Sequence, residues 1–367
     1  MNPTHPTDNP RFAPPSDRAE ALCGALRAAL VADRHPAAQQ PLEPMPDKGL
    51  AHDHVRLVGT GLLARLPKQS QMGLDAAHNL AYQRACFDRA AAGGHTPALH
   101  GWLAPSAHLP RGALLVDEVV GRPARLPQDL PAIARSLASL HALALPSPAA
   151  SAPLLHAPDP LQAVCDEIEA QASHLAAARV APVVAQAVAQ QLQLLKALCA
   201  APARPPRCLV AFDAHPGNFM VRADGRAMLV DLEKCRYSHP GLDLAHATLY
   251  TSTTWDVDTH AVLSVDAVAG FYRDWAAAAG LAAEGAAVWH VPLRSAMALW
   301  SLTWCAKWRV LSQAAAQKGG DGEDWSAQRS QAELVRHVRE RVDHYLSPGV
   351  VERLLHELHA LNEALHP

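Results

Sequence analysis

One stretch of the sequence limits the possible fold of this chain more than any other part. It runs from Val210 to Asp231 and reads VAFDAHPGNFMVRADGRAMLVD. An apolar segment leads into the polar loop D-A-H-P-G-N, and two short apolar segments then flank an Asp-Gly pair. An Asp-Gly pair between apolar residues is typical of a tight β-hairpin. We therefore predict a strand, a loop and a hairpin whose second strand returns to the loop.

The polar residues of this stretch have the types and the spacing that phosphoryl transfer needs. That reaction requires a carboxylate near the attacking hydroxyl, oxygen ligands for Mg²⁺ and a cation near the phosphates. Asp213 follows the first strand and Asn218 comes five residues later, which is the spacing of a kinase catalytic loop. The hairpin can return Asp231 to Asn218, and two such oxygen ligands suit Mg²⁺. The Asp-to-Asn spacing alone is common by chance, whereas its combination with the hairpin and Asp231 is specific.

This part of the sequence resembles the aminoglycoside phosphotransferases, choline kinases and related small-molecule kinases. Those enzymes carry H-G-D-x-H-P-G-N, then a strand that ends in I-D-W-E, then G-D-P-x-x-D-L-A. The matching segments here are AFDAHPGN at 211–218, VDLE at 230–233 and SHPGLDLA at 238–245. Position by position, the resemblance implies that Asp213 is the catalytic base and that Asn218 and Asp231 are metal ligands. It gives Asp243 a structural role, as a buried carboxylate that supports the catalytic loop.

The likeness continues upstream, into the part that would bind the nucleotide. The segment LLVDEVVG at 114–121 matches the hinge strand of the family. Backbone groups of Asp117, Glu118 and Val119 are thereby implied to hold the adenine of ATP. The resemblance covers about residues 40–310 and implies ATP and Mg²⁺ as cofactors, with a small-molecule alcohol as the phosphate acceptor.

Two further positions complete the implied nucleotide site. Arg65, in the segment LLARLP, occupies the position that contacts the phosphates in the family. Lys68 is a competing cation, but it lies an odd number of residues from Arg65 and should point to the opposite face of the sheet. The nucleotide loop would be DKGLAHDH at 47–54, with Gly49 as its single glycine.

Three departures from the family pattern keep an alternative function open. The His-Gly pair that opens the loop motif is Ala211-Phe212 here, and no G-x-G-x-x-G is present. Gln83 stands where a Glu partner of Arg65 is expected, so a charge-assisted pair would become a weaker hydrogen bond. The alternative is a pseudokinase that binds nucleotide and regulates a partner. A kinase that acts on protein is disfavoured, because no A-P-E segment follows Asp231.

The succession of predicted elements indicates an α+β chain with two lobes. We predict a bilobal protein-kinase-like fold. The first lobe would hold a mixed antiparallel sheet with one main helix, and the larger second lobe would be mostly helical. The predicted parts are a disordered tail at 1–17, a nucleotide-binding lobe at 18–120 and, at 121–367, a lobe with the catalytic loop and substrate-binding helices.

Apolar periodicity and turn residues place the individual elements. Residues 210–231 are called the catalytic stretch below. Strands outside it are predicted at 54–58, 62–66 and 113–120. Helices are predicted at 19–33, 74–92, 130–144, 159–177, 180–200, 241–249, 259–279, 291–317, 326–345 and 350–365. A Pro/Gln linker is expected at 35–46 and a Gly/Asp loop at 319–324. Beyond Asp231 only helices are expected.

Composition argues against several other classes of protein. A formal net charge of -3 and a pI near 6.7, with no basic stripe, disfavour nucleic acid as a partner. No run approaches the roughly 18 apolar residues of a membrane-spanning helix, and residues 1–17 lack the apolar run of a signal peptide. The seven cysteines form no C-x-x-C pair, which is typical of reduced thiols in a cytoplasmic protein.

The predicted helical lobe offers two indications about the acceptor. Trp300, Trp304 and Trp308 recur at every fourth residue and share one helix face. Such a face can hold a quaternary ammonium group by cation–π attraction, although packing between helices is the favoured interpretation. Acidic residues are few and scattered in this lobe, so charge does not support an aminoglycoside acceptor.

Other polar residues near the motifs have alternative interpretations. His215 is interpreted as a loop-shaping residue rather than a proton carrier. Glu233 could assist the metal, or it could belong to the surface or the substrate lobe. His52, Asp53 and His54 invite comparison with a metal site, but their spacing matches no common one.

Overall fold

The N-terminal part of the chain is a five-stranded sheet in the computed structural model, which describes residues 16–47, 49–314 and 330–365. In chain order the strands are β1 (Leu42–Pro44), β2 (His52–Leu57), β3 (Leu62–Pro67), β4 (Leu99–Leu103) and β5 (Ala113–Asp117). Their order across the sheet is β1-β2-β3-β5-β4, and every neighbouring pair is antiparallel.

Two helices cover the two faces of this sheet. They are α1 (Ser16–Ala32) and α2 (Ala76–Ala90). Successive side chains of a strand point to opposite faces, and β5 shows the result. Leu115 belongs to the apolar core under α1, whereas Leu114 and Val116 belong to the core under α2. The sheet is therefore buried on both sides, and its α2 side also faces the cavity described below.

The strands predicted at 54–58 and 62–66 are confirmed as β2 and β3, which form a hairpin around Gly59-Thr60-Gly61. Gly59 and Gly61 have φ values of 82° and 71°, a backbone region that favours glycine. The linker predicted at 35–46 is wrong in part, because its residues 42–44 form β1 against β2. Strands β1 and β4 escaped prediction: β1 has only three residues, and a register shift between Leu99 and Gly101 interrupts β4.

The remainder of the chain is mostly helical, as predicted. Its helices are α3 (Leu130–His141), α4 (Pro148–Ser151), α5 (Pro160–Ala172), α6 (Pro182–Ala200), α7 (Pro240–His246), α8 (Tyr250–Thr253), α9 (Val265–Ala279), α10 (His290–Leu311), α11 (Ala332–Tyr345) and α12 (Pro348–Leu365). Helix α10 packs against α5 and α7, and α3 packs against α9. Among the described helices, none is both long enough and apolar enough to cross a membrane.

Two small sheets within this part hold the catalytic stretch. Their strands are β6 (Arg122–Pro123), β7 (Cys208–Val210), β8 (Phe219–Val221), β9 (Ala227–Leu229) and β10 (Arg236–Ser238). The predicted hairpin is confirmed as β8 and β9, and β6 pairs with the free side of β8. Strand β10 pairs with β7, so the expectation of helices alone after Asp231 was wrong. A strand of three residues is too short to show an alternating apolar pattern, and its partner β7 comes much earlier in the sequence.

These elements confirm the predicted α+β fold class, and some boundaries differ from the prediction. Ser16 and Asp17 already belong to α1, so the predicted tail extended too far into the chain. Helix α9 begins at Val265 because the Ser264 side chain accepts a hydrogen bond from the backbone N–H of Ala267. Residues 1–15 of the tail, the loop at 319–324 and the adjoining helix ends at 315–317 and 326–329 lie outside the described residues. The division at 120/121 stays a prediction.

Candidate active site

One cavity joins the sheet, the catalytic stretch and helix α10. Leu63 and Val116 line it on the sheet side, and Trp300 and Trp304 line it on the α10 side. All eight residues predicted for the site line this cavity: Asp213, Asn218, Asp231, Arg65, Gly49, Asp117, Glu118 and Val119. The structure therefore brings the predicted set together, while the role of each residue stays a prediction.

A fully buried carboxylate fixes the start of the catalytic loop. Asp243 accepts hydrogen bonds from the backbone N–H groups of Ala211 (2.7 Å) and Phe212 (2.8 Å). His141 lies 3.1 Å from the same carboxylate through its Nε2, and Trp275 donates to His141 Nδ1 at 3.0 Å. Because the indole N–H occupies Nδ1, the ring proton sits on Nε2 and points at Asp243. Three helices, α3, α7 and α9, are thus tied to the residue before Asp213.

We predict that Asp243→Ala lowers the free energy of unfolding by about 3–5 kcal/mol, because it leaves buried donors without an acceptor. Urea denaturation followed by circular dichroism measures the change. The control is Asp274→Ala, which removes an exposed carboxylate from α9 and should cost no more than about 0.5 kcal/mol. Equal stability of the Asp243 variant and the wild type would contradict the supporting role of this carboxylate.

Asp213 is paired with a lysine that the sequence analysis did not single out. Lys234 Nζ donates to Asp213 Oδ2 at 2.7 Å, and His246 Nδ1 lies 3.9 Å from Oδ1. Burial alone would raise the pKa of Asp213, but the charge and hydrogen bond of Lys234, together with the nearby His215 and His246, hold the pKa below its usual value. Burial lowers the pKa of His246 to about 4, so that ring is neutral near pH 7. The one available signal was a cation three residues after Asp231.

Asn218 and Asp231 are adjacent across the hairpin. The Asn218 carbonyl accepts a hydrogen bond from Val230 N at 2.9 Å, which places Asp231 next to it. The Asn218 amide nitrogen donates to the Asp213 carbonyl at 2.8 Å, so the amide oxygen is left for another partner. The Asn218 N–H in turn donates to the His215 carbonyl at 2.9 Å, consistent with a loop-shaping role for His215.

Arg65 contacts the catalytic segment directly. Its Nη2 donates to Asp231 Oδ1 at 2.7 Å and its Nη1 to the Val230 carbonyl at 2.9 Å. Burial would raise the pKa of Asp231, but the Arg65 guanidinium, with Lys234, holds the pKa well below its usual range. Asp231 is therefore an anion. Because Arg65 is bonded to it, a ligand that approaches Asp231 would also come close to the Arg65 guanidinium.

Lys68 belongs to a different cluster from Arg65. It forms an ion pair with Asp47 and donates to the Gly49 carbonyl at 3.0 Å. Asp53, at 3.7 Å from Lys68 Nζ, is a further partner. Lys68 thus ties down the loop predicted to cover the nucleotide, and Arg65 is the cation that reaches Asp231.

The predicted hinge lines the cavity. The backbone N–H of Asp117 donates to the Ala98 carbonyl at 3.0 Å, and that of Glu118 to the Gly61 carbonyl at 2.8 Å. Within the described residues, the N–H of Val119 donates to no other group of the chain. Of the three hinge N–H groups, that of Val119 is the one available to a ligand.

A buried polar network lies beside Asp231. The sequence suggested Gln83 as the partner of Arg65, but the structure pairs it with two other residues. Its Oε1 lies 3.0 Å from His52 Nε2, and its Nε2 donates to Glu233 at 3.5 Å. Burial, with the Arg65 charge, lowers the pKa of His52 to about 3. Burial and the neighbouring Asp231 charge raise the pKa of Glu233 to about 8. Glu233 is therefore largely protonated near pH 7, and His52 is neutral.

The raised pKa of Glu233 predicts a pH-dependent loss of stability. Its folded pKa of about 8 exceeds the ordinary 4.5, so its contribution is complete below pH 4.5 and disappears as pH rises through 8. Glu233→Gln mimics the protonated form. In EDTA, it should equal the wild type near pH 5 and be more stable, by a few kcal/mol, near pH 9. Urea unfolding at both pH values tests this, and a constant difference between the two proteins would contradict it.

Aromatic residues line the cavity beyond Asp213. Trp255 lies 5.7 Å from Trp304 and 6.2 Å from Tyr345, measured between ring centroids, and all three rings line the cavity. Lys234 Nζ lies 5.8 Å from the Trp300 centroid. Of the three tryptophans in the stripe, Trp308 alone fits the packing interpretation, because it is buried away from the cavity. Trp300 and Trp304 face the cavity.

Comparison with known protein families identifies the family to which this chain belongs. The model of the phosphotransferase enzyme family matches residues 46–281, which include strands β2 to β5 of the sheet, the hinge and the whole catalytic stretch. The chain belongs to this family. No curated protein matches the sequence significantly.

Solved structures of other phosphotransferases share the fold. A choline/ethanolamine kinase family protein from Mesorhizobium loti is 17% identical with a TM-score of 0.52, and the match covers 92% of this chain and 99% of that one. Plasmodium vivax ethanolamine kinase is 11% identical with a TM-score of 0.58, over 93% and 97% of the two chains. The GDP complex of aminoglycoside 2'-phosphotransferase-IIIa is 16% identical with a TM-score of 0.55, over 87% and 98%. These likenesses confirm the protein-kinase-like fold.

One departure from the family motif has a structural explanation. Phe212 stands at the motif's glycine and has a φ of 60°, where a side chain other than glycine is strained. Its ring is fully buried, edge-on to Trp300 at 5.4 Å and beneath the Arg236 guanidinium at 3.7 Å. Burial of an aromatic ring contributes about 1.5–3 kcal/mol, which is enough to offset such strain. This member of the phosphotransferase enzyme family thus keeps the loop conformation without the glycine.

Proposed function

We propose that this chain transfers the γ-phosphate of ATP, with Mg²⁺, to a hydroxyl group of a small molecule. The observation that carries the proposal is the convergence of Asp213, Asn218 and Asp231 on one cavity that also holds the hinge and Arg65. Membership of the phosphotransferase enzyme family supports the reaction type. Structural neighbours named as choline and ethanolamine kinases support a small acceptor.

The adenine would lie in the slot next to the hinge. Leu63 and Val116 line this slot on the sheet side, and Met220 and Val230 of the catalytic hairpin line it as well. Apolar side chains suit the faces of a planar base, and the free N–H of Val119 can donate to its edge. Arg65 lines the same cavity and contacts Asp231, so its guanidinium can contact the phosphates.

The residues at the other end of the slot fit a magnesium ion. Asp231 is anionic, and its Oδ2 makes no hydrogen bond within the described residues. The Asn218 Oδ1 is likewise open, because the amide nitrogen is tied to the loop. Bound by these two oxygens, Mg²⁺ would neutralise charge on the triphosphate. Arg65 would then divide its contacts between Asp231 and the phosphates.

Asp213 is placed to act on the acceptor. Its carboxylate would orient the hydroxyl group and take its proton, as the hydroxyl oxygen bonds to the γ-phosphorus and the bond to ADP breaks. Lys234 holds the carboxylate in place. Its positive charge would also stabilise the negative charge that develops during phosphoryl transfer. The rings of Trp255, Trp304 and Tyr345 would contact the body of the acceptor.

Lys234 provides a test of this arrangement through pH. In Lys234→Gln the pKa of Asp213 should rise, because the cation that lowers it is gone. Since Asp213 must be deprotonated to take a proton, the acidic limb of the pH–kcat/KM profile should move to higher pH. We also expect kcat to fall by about 10²-fold. Lys196→Gln, at a partly exposed lysine outside the cavity, is the control, and an unshifted acidic limb would contradict the pairing.

The proposed function itself is tested by screening a library of small-molecule alcohols. ADP release is followed with purified protein, ATP and Mg²⁺, and the Asp213→Asn variant serves as the blank. The proposal expects at least one acceptor that stimulates ADP release in the wild type and not in the variant. Tight ATP binding without turnover on any acceptor would favour the nucleotide-binding regulator instead.

A further inference from the structure

A second group of potential metal ligands lies beside the proposed magnesium site. His52, at the start of β2, meets Asp231 and Glu233, which follow β9, and one ligand atom from each lies within 4.8 Å of the others. His52 is 3% exposed and Glu233 is 5% exposed, and all three side chains line the cavity. Asn218, the other proposed magnesium ligand, offers an amide oxygen instead of a carboxylate or an imidazole.

Gln83 orients two members of the group. Its amide nitrogen donates to Glu233 Oε2, so the amide oxygen is the atom that faces His52 Nε2 at 3.0 Å. An oxygen there can only accept, and His52 Nε2 must therefore carry the ring proton. With its proton on Nε2, the neutral ring has a lone pair on Nδ1. A hydrogen bond from the second ring nitrogen to a polar partner is the usual support of a metal-binding histidine.

The lone pair of His52 faces acceptors rather than donors. Its Nδ1 lies 3.8 Å from Glu233 Oε2, and no described residue donates a hydrogen bond to it. Asp231 brings a second carboxylate to the same point. Metal–ligand bonds of about 2.0–2.2 Å put two ligands of one ion at most about 4.4 Å apart, so small side-chain movements would close the group on an ion. Binding of an ion would release the proton of Glu233, and three electron-pair donors that converge in this way fit a cation.

The ligand types indicate which cation fits. Carboxylate and amide oxygens suit Mg²⁺, but an imidazole nitrogen favours divalent transition metals such as Zn²⁺ and Co²⁺. We propose that His52, Asp231 and Glu233 form a binding site for a divalent transition-metal ion that needs no nucleotide. The site shares Asp231 with the proposed magnesium position, so the ion competes with Arg65 for that carboxylate.

The test is a titration of nucleotide-free, EDTA-treated full-length protein with Co²⁺, followed by visible absorption and isothermal calorimetry. The chain has 21 histidines and 7 cysteines, so the difference between variants is the measurement, rather than total uptake. Loss of a ligand in His52→Ala or in the isosteric Glu233→Gln should weaken the tightest Co²⁺ site by at least about 10–100-fold. Gln83→Ala should weaken it by about 10-fold through loss of orientation.

Two variants serve as matched controls. His54→Ala removes another histidine of β2 that lines the same cavity, and Asn218→Ala removes the ligand specific to the magnesium position; both should keep the Co²⁺ site. Circular dichroism verifies that each variant is folded. Zn²⁺ should displace Co²⁺ from the wild type.

The outcome is separable from that of the proposed function. Co²⁺ binding that is unchanged in both His52→Ala and Glu233→Gln overturns the metal site, even if the protein turns over ATP with Mg²⁺. A His52-dependent Co²⁺ site in a protein that phosphorylates no acceptor supports the metal site and counts against the phosphotransferase proposal alone. Loss of binding in His54→Ala to the same degree as in His52→Ala also overturns the ligand set.

Discussion

Replacing Asp213 by Asn lowers kcat by about 10²–10⁴-fold and leaves the affinity for ATP largely unchanged. The variant has the same shape as the wild type but cannot take a proton from the acceptor. Lys234 keeps an oxygen partner in the amide, so the loop is not left with an unpaired buried cation. The proposed nucleotide site consists of the hinge, Arg65 and Asp231, which the substitution does not touch. Steady-state kinetics with an acceptor and calorimetric titration with ATP measure the two effects separately.

Asp224→Asn is the control for this prediction. Asp224 lies in the turn of the same catalytic hairpin, is exposed, and forms its ion pair with Arg226. The substitution removes one negative charge close to Asp213 in the sequence but outside the cavity, and should leave kcat unchanged. If Asp213→Asn retained wild-type kcat, another group would have to be the base.

Replacing Asp231 by Asn abolishes the dependence of nucleotide binding on Mg²⁺ and lowers kcat/KM by at least about 10²-fold. The amide keeps the size of the side chain but loses the charge that would hold the ion. Arg65 also loses its charged partner at 2.7 Å. Affinity for ATP with Mg²⁺ should fall to the value measured in EDTA, and titrations under both conditions test this.

Loss of an Asp–Arg pair by itself must be separated from loss of the metal ligand. Asp129 forms an ion pair with Arg122 at 2.5 Å outside the cavity, so Asp129→Asn removes a comparable pair without touching the site. It should lower stability somewhat and leave the Mg²⁺ dependence of ATP binding intact. Continued Mg²⁺-dependent binding in Asp231→Asn would refute the ligand assignment.

The catalytic stretch was readable from the sequence because its structure is local. An Asp-Gly turn between apolar segments allows few conformations, and a tight hairpin returns Asp231 to Asn218 whatever the rest of the chain does. The same holds for the β2–β3 hairpin, where two glycines at positive φ make the turn. Long amphipathic helices such as α3 and α9 were likewise predicted, since their period of apolar residues extends over several turns.

The partners of the site residues could not be predicted, because they come from distant parts of the chain. Gln83 was matched to Arg65 by family position, yet the structure pairs it with His52 and Glu233. Lys234 carried no recognisable motif, and only the fold shows its contact with Asp213. Each of these contacts joins elements that are separate in the sequence, so no spacing rule contains them.

The sequence by itself determined the fold class and the set of oxygen-bearing residues that meet at one cavity. It could do so because turn geometry and helical period act over a few residues, and the catalytic stretch needs nothing more. The tertiary structure alone decided which cations neutralise Asp213 and Asp231 and which histidine joins the buried carboxylates. Charge and burial act through space, and the packing of β2, β3 and α2 against the catalytic hairpin sets those distances.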